Sequence, residues 1–239
     1  MIPTFQTAQA AERLHDLSAP LALPTDLYED AKKASAQSEY RAVFAEILAE
    51  AAQGHAGAQR TIGELYEEGR DFPKDNDRAI RWYHLAAENG DAPTQLKLAL
   101  AYSHGKLGMP RDEEEGARWC RLAAEQGHPH AQFILGLMYS LGKGVPAIAT
   151  EAVRWYRLAA EQGHTAAQAH LGNSYAAGHG IPENAIVAYA WLSVAAAQGD
   201  EGASRVKQKV AEQMTNSQVA KAQELSREYW NLYVAPLLE

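Results

Sequence analysis

The sequence predicts an all-α protein, a solenoid of about four helix-turn-helix repeats with a helical cap at each end, and three observations carry that prediction. The first is a fixed period. Trp82, Trp119, Trp155 and Trp191 stand 37, 36 and 36 residues apart by subtraction of their numbers, and Gly54, Gly90, Gly127, Gly163 and Gly199 step by 36, 37, 36 and 36. Tyr66, Tyr102, Tyr139 and Tyr175 keep the same beat, as do Pro73, Pro110, Pro146 and Pro182. Several residue types in phase at such a period mark a repeat array, in which each unit buries its apolar face only against its neighbours. The second is that apolar residues recur at spacings of three and four within each period, which is helical, and no strand pattern is present. The third is composition: 46% hydrophobic and 22% charged residues in a chain of 239 is ordinary for a soluble globular protein.

Charge and composition also exclude function classes. The net charge of −8 and the lack of any Lys/Arg run argue against a nucleic-acid partner. No stretch approaches the roughly 18 apolar residues of a membrane span, so membrane insertion is not expected. The first twenty residues lack the basic start and apolar run of a signal peptide, which points to the cytoplasm, or to the periplasm if a leader has been removed ahead of Met1. The single cysteine, Cys120, cannot form an intrachain disulfide. It follows Trp119 where sister repeats carry Tyr83, Tyr156 and Leu192, so it reads as a buried packing thiol.

Taken in order, residues 1–25 form an arm, and the two prolines of PLALP at 20–24 forbid a continuing helix there. Its Ile2, Phe5 and Leu14 would suit an intramolecular ligand, but an unstructured terminus is the expectation. Residues 26–54 read as a degenerate capping hairpin. Its first helix is expected near Asp26–Ala36, capped by Thr25 or Asp26, and its second near Ser38–Ala52, with Tyr40, Val43, Phe44, Ile47, Leu48 and Ala51 on one face. Four units follow at 55–90, 91–127, 128–163 and 164–199. Each comprises helix A, a loop with glycine and proline, helix B and a glycine turn. In the third unit helix A is predicted over Pro129–Leu141, ended by Gly142 and Gly144, and helix B over Thr150–Glu161 with Trp155 inward. Residues 200–239 form the C-terminal cap, a helix from Asp200 to about Met214 and a last helix opened by a capping box between Thr215 and Gln218.

Two sets of repeated positions explain the packing. Alanine pairs in helix B, and Gly63, Gly136 and Gly172 with Ala99 in helix A, let the helices approach closely. The tryptophan column is core.

The third unit's LGLMYSLGKGVP and EAVRWYRLAAEQGH, and the fourth unit's LGNSYAAGHGIP and AYAWLSVAAAQGD, resemble the Sel-1-like repeat family, a branch of the tetratricopeptide-like helical repeats. The resemblance covers about 55–199. It implies a right-handed α-solenoid that holds proteins or peptides, as an adaptor or regulator, without catalysis or cofactor. An inhibitor or immunity protein that neutralises a toxic enzyme is the alternative the same fold serves. Where the family usually places an acid after the loop proline, as Asp75 and Asp112 do here, the third unit runs Ala147-Ile148-Ala149. Ile148 is then either an exposed apolar spot or tucked against helix B.

No residue pattern points to chemistry. His55, His128 and His164 share one position with Asp91 and Asp200, which favours helix capping over metal ligation. Gln59, Gln95, Gln132 and Gln168 form an invariant column, read either as a grip on a peptide backbone or, preferably, as hydrogen bonding between units. No serine, histidine and acid set suggests nucleophilic catalysis, and glycine loops lack the strand that a phosphate cradle requires.

The informative positions vary between otherwise matched units. If helix A lines the concave wall, as the resemblance implies, that wall carries Arg60, Glu64 and Glu67 in the first unit and Leu96 and Leu100 in the second. Phe133, Leu137 and Leu141 stand in the third and Asn173 in the fourth. A peptide with apolar side chains over Phe133 and Leu137 and a basic group near Glu64 and Glu67 would match it. Helix-on-helix packing of the same apolar residues is the competing reading.

Overall fold

The structure is a computed structural model and describes residues 23–35, 41–69 and 73–238. Residues 1–22, on which the reading of the N-terminal arm rests, lie outside them. Helices follow one another through the described residues, with no strand among them. They are α1 (Thr25–Ser35), α2 (Arg41–Ala52), α3 (Ala56–Glu68), α4 (Asn76–Glu88), α5 (Ala92–His104) and α6 (Glu113–Glu125). Then come α7 (Pro129–Leu141), α8 (Ala149–Ala160), α9 (Thr165–Ala177), α10 (Ala185–Ala197), α11 (Glu201–Glu212) and α12 (Asn216–Tyr233), with a 3₁₀ turn at Ala235–Leu237. The chain divides into two compact units, Met1–Asp112 and Glu113–Glu239. The boundary falls in the loop of the second repeat, where the period gains its additional residue. That residue is accommodated by left-handed backbone at Leu107, φ 60°, and Gly108, φ 85°.

In the first unit, α1 lies against α4. Asp26 pairs with Arg81, and Asp30 stands 3.6 Å from Arg78, while Leu27 and Ala31 are buried. These exposed pairs set register more than they add stability. The apolar residues of α1 and α2, with Phe44, Leu48 and Ala51 buried, supply the burial.

The repeats are held by the devices their sequence announced. An alanine Cβ at Gly63 would come 2.6 Å from the Tyr83 ring, one at Gly136 2.6 Å from Tyr156, and one at Gly172 2.7 Å from Leu192. Helix A and helix B of one repeat therefore touch through a glycine. Trp82, Trp119, Trp155 and Trp191 are all buried, as is Cys120, whose thiol donates to the Ala131 carbonyl and is pushed up to about 12 by burial.

The glutamine column is structural. Gln59, Gln95, Gln132 and Gln168 donate to the carbonyls of Ala51, Ala87, Ala124 and Ala160, at 3.0, 2.9, 3.2 and 3.1 Å, near the end of the preceding helix B. The Oε1 atoms of Gln59, Gln132 and Gln168 accept from Asn89, Gln162 and Gln198 at the end of their own repeat's helix B. Each of these three amides thus joins two successive helix B ends, and burial makes the bonds hard to replace by water.

Capping follows the repeat register. Asp75, Asp91, Asn184, Asp200 and Thr215 accept from the backbone N–H three residues on, as do the Nδ1 atoms of His128 and His164. His55 makes no such bond. The acid after the loop proline is the helix B cap in the first repeat, so Ile148 leaves α8 without a side-chain cap and is itself 40% exposed. The capping box of Thr215 and Gln218 opens α12 as expected.

Candidate partner-binding face

The helix A positions that vary between repeats are built differently in the two units. In the first unit, Arg60 on α3 stands 3.9 Å from Glu64 and 3.6 Å from Asp91, the cap of α5. Glu67 accepts from Lys97 Nζ and from Tyr83 Oη, both at 2.5 Å, and Lys97 lies over the Tyr83 ring. Burial works against the charge on Glu67, but the bonds from Lys97 and Tyr83 outweigh it and hold the carboxyl below its ordinary value. Burial, and then donation to Glu67, push the Tyr83 hydroxyl well above the usual tyrosine range. Glu67 is therefore tied into contacts within the unit, while Glu64, whose side chain is 44% exposed, keeps only the long pair with Arg60. Leu96 is 7% exposed and packs inside, while Leu100 is half-buried.

In the second unit, Phe133 is 9% exposed and belongs to a cluster with Tyr156, Leu171 and Trp191. Its ring stacks on His164 at 4.8 Å and meets His170 edge-on at 5.4 Å. The contact has the same place in the repeat as Arg60 with Asp91, since Phe133 and Arg60 are matched positions and His164 and Asp91 are matched caps. Helix A thus grips the cap of the next helix A, by an ion pair in one unit and by an aromatic stack in the other. Phe133 and Leu96 are engaged in packing. Leu137 is half-buried, Leu141 is 61% exposed and Asn173 is exposed, so these three of the second unit's expected wall residues reach solvent.

Beside them stands a histidine pair. His130 Nδ1 lies 3.1 Å from His164 Nε2. The Ala167 N–H donates to His164 Nδ1, so a neutral His164 carries its proton on Nε2. That proton points at His130 Nδ1. The sequence shows His55, His128 and His164 as a capping column, and His130 lies two residues after His128. The pairing of residues 34 apart by subtraction follows only once one helix A is laid beside the next. Among the described residues no three or more His, Cys, Asp or Glu side chains converge on a metal-sized position.

Burial, with His130 and His128 nearby, holds His164 below its ordinary value, and burial does the same for His170 against the opposing pull of Asp200. A histidine favoured neutral in the fold binds fewer protons than it does unfolded, so full stability is kept above the unfolded value of about 6.5 and is lost as pH falls below it through the lower folded value. The melting temperature is expected to drop between pH 7.5 and 5, above the range where Glu67 titrates. His164→Asn, which keeps a good cap acceptor, should flatten that slope. An unchanged slope would show that the pair does not govern it.

No helix is long and apolar enough to cross a membrane among the described residues. No curated protein matches the chain. Among solved structures, c5321, a protective antigen of uropathogenic Escherichia coli strains displaying an SLR fold, is 30% identical with a TM-score of 0.68, over 87% of this chain and 45% of that one. A Sel1 repeat protein from Oxalobacter formigenes is 32% identical with a TM-score of 0.66, over 72% of this chain and 50% of that one. The chain spans about half the length of both. Residues 56–91, 92–128, 129–164 and 165–200 each match the Sel1 repeat, and with more than half of the sequence so matched, the chain belongs to the Sel1 repeat family.

Proposed function

We infer that this chain is a non-catalytic protein–protein interaction module, an adaptor or regulator that takes a peptide or partner domain on its helix A face. Sel1 repeats generally mediate protein–protein interaction. The observation that carries the reading is the contrast within each repeat. Scaffold positions (the glutamine, the tryptophan, the glycine contacts) are repeated, while the solvent-reaching helix A positions differ from repeat to repeat. In the second unit Leu137 and Leu141 sit one turn apart on α7, and Leu141 and Ile148, on either side of the loop between the repeat's two helices, are both exposed. A partner with apolar anchors flanked by polar groups suits that face.

The test compares the intact chain with a Leu137→Lys, Leu141→Lys variant in affinity capture from lysate of the native source. Both side chains lie at least partly in solvent, so the variant is expected to keep its helical circular dichroism and melting temperature. A stoichiometric partner should be captured by the intact chain and lost from the variant. Retention of that partner by the folded variant would move the site off α7.

A further inference from the structure

The residue before each repeat tryptophan is arginine in the first three repeats, Arg81, Arg118 and Arg154, and alanine in the fourth, Ala190. In the second unit Arg118 and Arg154 lie over the indoles of Trp119 and Trp155, 4.2 and 4.4 Å from the ring centroids. Their side chains are 39% and 54% exposed, and each pairs with an acid three residues earlier, Glu115 and Glu151. The matched Ala190 is wholly buried. A position that faces solvent in the other repeats is covered in this one, and Trp191 there has aromatic neighbours instead of a guanidinium. Tyr229 and Tyr233 stand 4.4 and 5.4 Å from its ring. They belong to α12, whose residues 222, 226, 229 and 233 form one helical stripe. Ala222 of that stripe is buried, and Ser226 lines a shallow cleft with Gln223 and Arg227 against Tyr189 and Ser193 of α10.

We propose that the Trp191 face of α10 is a helix-docking platform, opened by Ala190, whose ligand is an α-helix presenting two aromatic side chains four residues apart, and that α12 is the exchangeable resident of this platform. Three features support exchange. Of the 18 residues of α12 only Ala222 is fully buried, with Tyr229 and Tyr233 partly buried beside it, so one stripe of the helix makes its contact. It is joined to α11 by the short segment at 213–215. Beyond it Val234 is buried, but Leu237 and Leu238 are 64% and 72% exposed, with Leu232 on α12 itself at 63%. A helix with one face of small and aromatic residues at this spacing would make the same contacts from another molecule. The platform lies on helix B, whereas the face proposed above lies on helix A.

The probe is a fluorescein-labelled peptide of residues 216–238, titrated by anisotropy against the full chain. The wild type, its platform filled, should bind weakly. The full chain carrying Tyr229→Ala and Tyr233→Ala should bind about tenfold tighter or better, because the resident no longer competes. Adding Ala190→Arg to that variant should abolish binding, as should removing both tyrosines from the peptide. Amide exchange over residues 216–233 gives the independent readout: protection falls in the tyrosine variant and in Ala190→Arg alone, while α7–α9 stay protected. The proposal is overturned if the emptied chain binds no better than wild type, if α12 stays protected without its tyrosines, or if binding survives Ala190→Arg. Should Ala190→Arg fail to fold, Ala190→Met supplies an uncharged obstruction. Loss of folding in both would place residue 190 in the repeat core and overturn its assignment to the platform.

Discussion

Replacing Trp155 by alanine is expected to lower the unfolding free energy by about 3–5 kcal/mol, a large part of the roughly 5–15 kcal/mol that holds a typical domain together. The indole is 5% exposed in the middle of α8. Arg154 rests on it from the solvent side, so truncation also removes a cation–π contact. One feature pulls the other way. The indole Nε1 is buried with no hydrogen-bond partner among the described residues, and such an unpaired donor costs about 1–3 kcal/mol on its own. Trp155→Phe, which keeps an aromatic ring and deletes the donor, should therefore lose much less than Trp155→Ala. Urea titration of the three proteins gives the comparison. A loss for Trp155→Phe equal to that for Trp155→Ala would mean that the position depends on the indole nitrogen rather than on apolar volume.

The periodicity made the scaffold legible because each scaffold residue does the same job in every repeat. Helix A of the third repeat has the bounds its sequence predicts, Pro129–Leu141, and helix B lies within a residue of its predicted bounds at each end. The capping box and the glycine contacts also followed from spacing. The glutamine column was readable as a bond between units because an invariant buried amide needs invariant partners, and the backbone carbonyls of the preceding helix B supply them. What spacing could not give was the second partner of each variable residue. The sequence leaves Phe133 open between groove and packing, in a column that also holds Arg60 and Leu96. Its fate is set by His164, 31 residues on by subtraction, and only the stacking of one helix A on the next brings that cap within reach. The sequence leaves Ile148 open between exposure and packing, and its place at a helix N-cap goes with exposure, since the cap side chain has no helix of its own to fold against. The change from arginine to alanine at position 190 was visible in the sequence. It gained meaning only when α12 was found lying over α10.

Alanine at Gly144 or Gly180 is expected to cost about 2–5 kcal/mol, more than the backbone conformation alone requires. Both glycines are left-handed, at φ 67° and 72°, and forcing an L-residue there costs about 1–2 kcal/mol. The rest comes from where a Cβ would go. At Gly144 it would lie 1.9 Å from the Glu113 carbonyl oxygen, and at Gly180 2.3 Å from that of Ala149. These acceptors belong to the first residues of α6 and α8, the helix B of the preceding repeat in each case. The obstacle is backbone at the start of a helix, so it cannot swing aside as a long side chain would, and overpacking of this kind costs about 1–3 kcal/mol more. Gly127 isolates the two effects: it is left-handed at φ 87°, yet nothing lies within 4 Å of its Cβ position. Gly127→Ala should therefore pay the conformational part alone. Denaturant titration of Gly127→Ala, Gly144→Ala and Gly180→Ala should rank the first well above the other two in stability. Equal losses would mean that these loop glycines serve only to turn the chain. The expected ranking would mean that they also set how closely one repeat's loop seats on the helix before it.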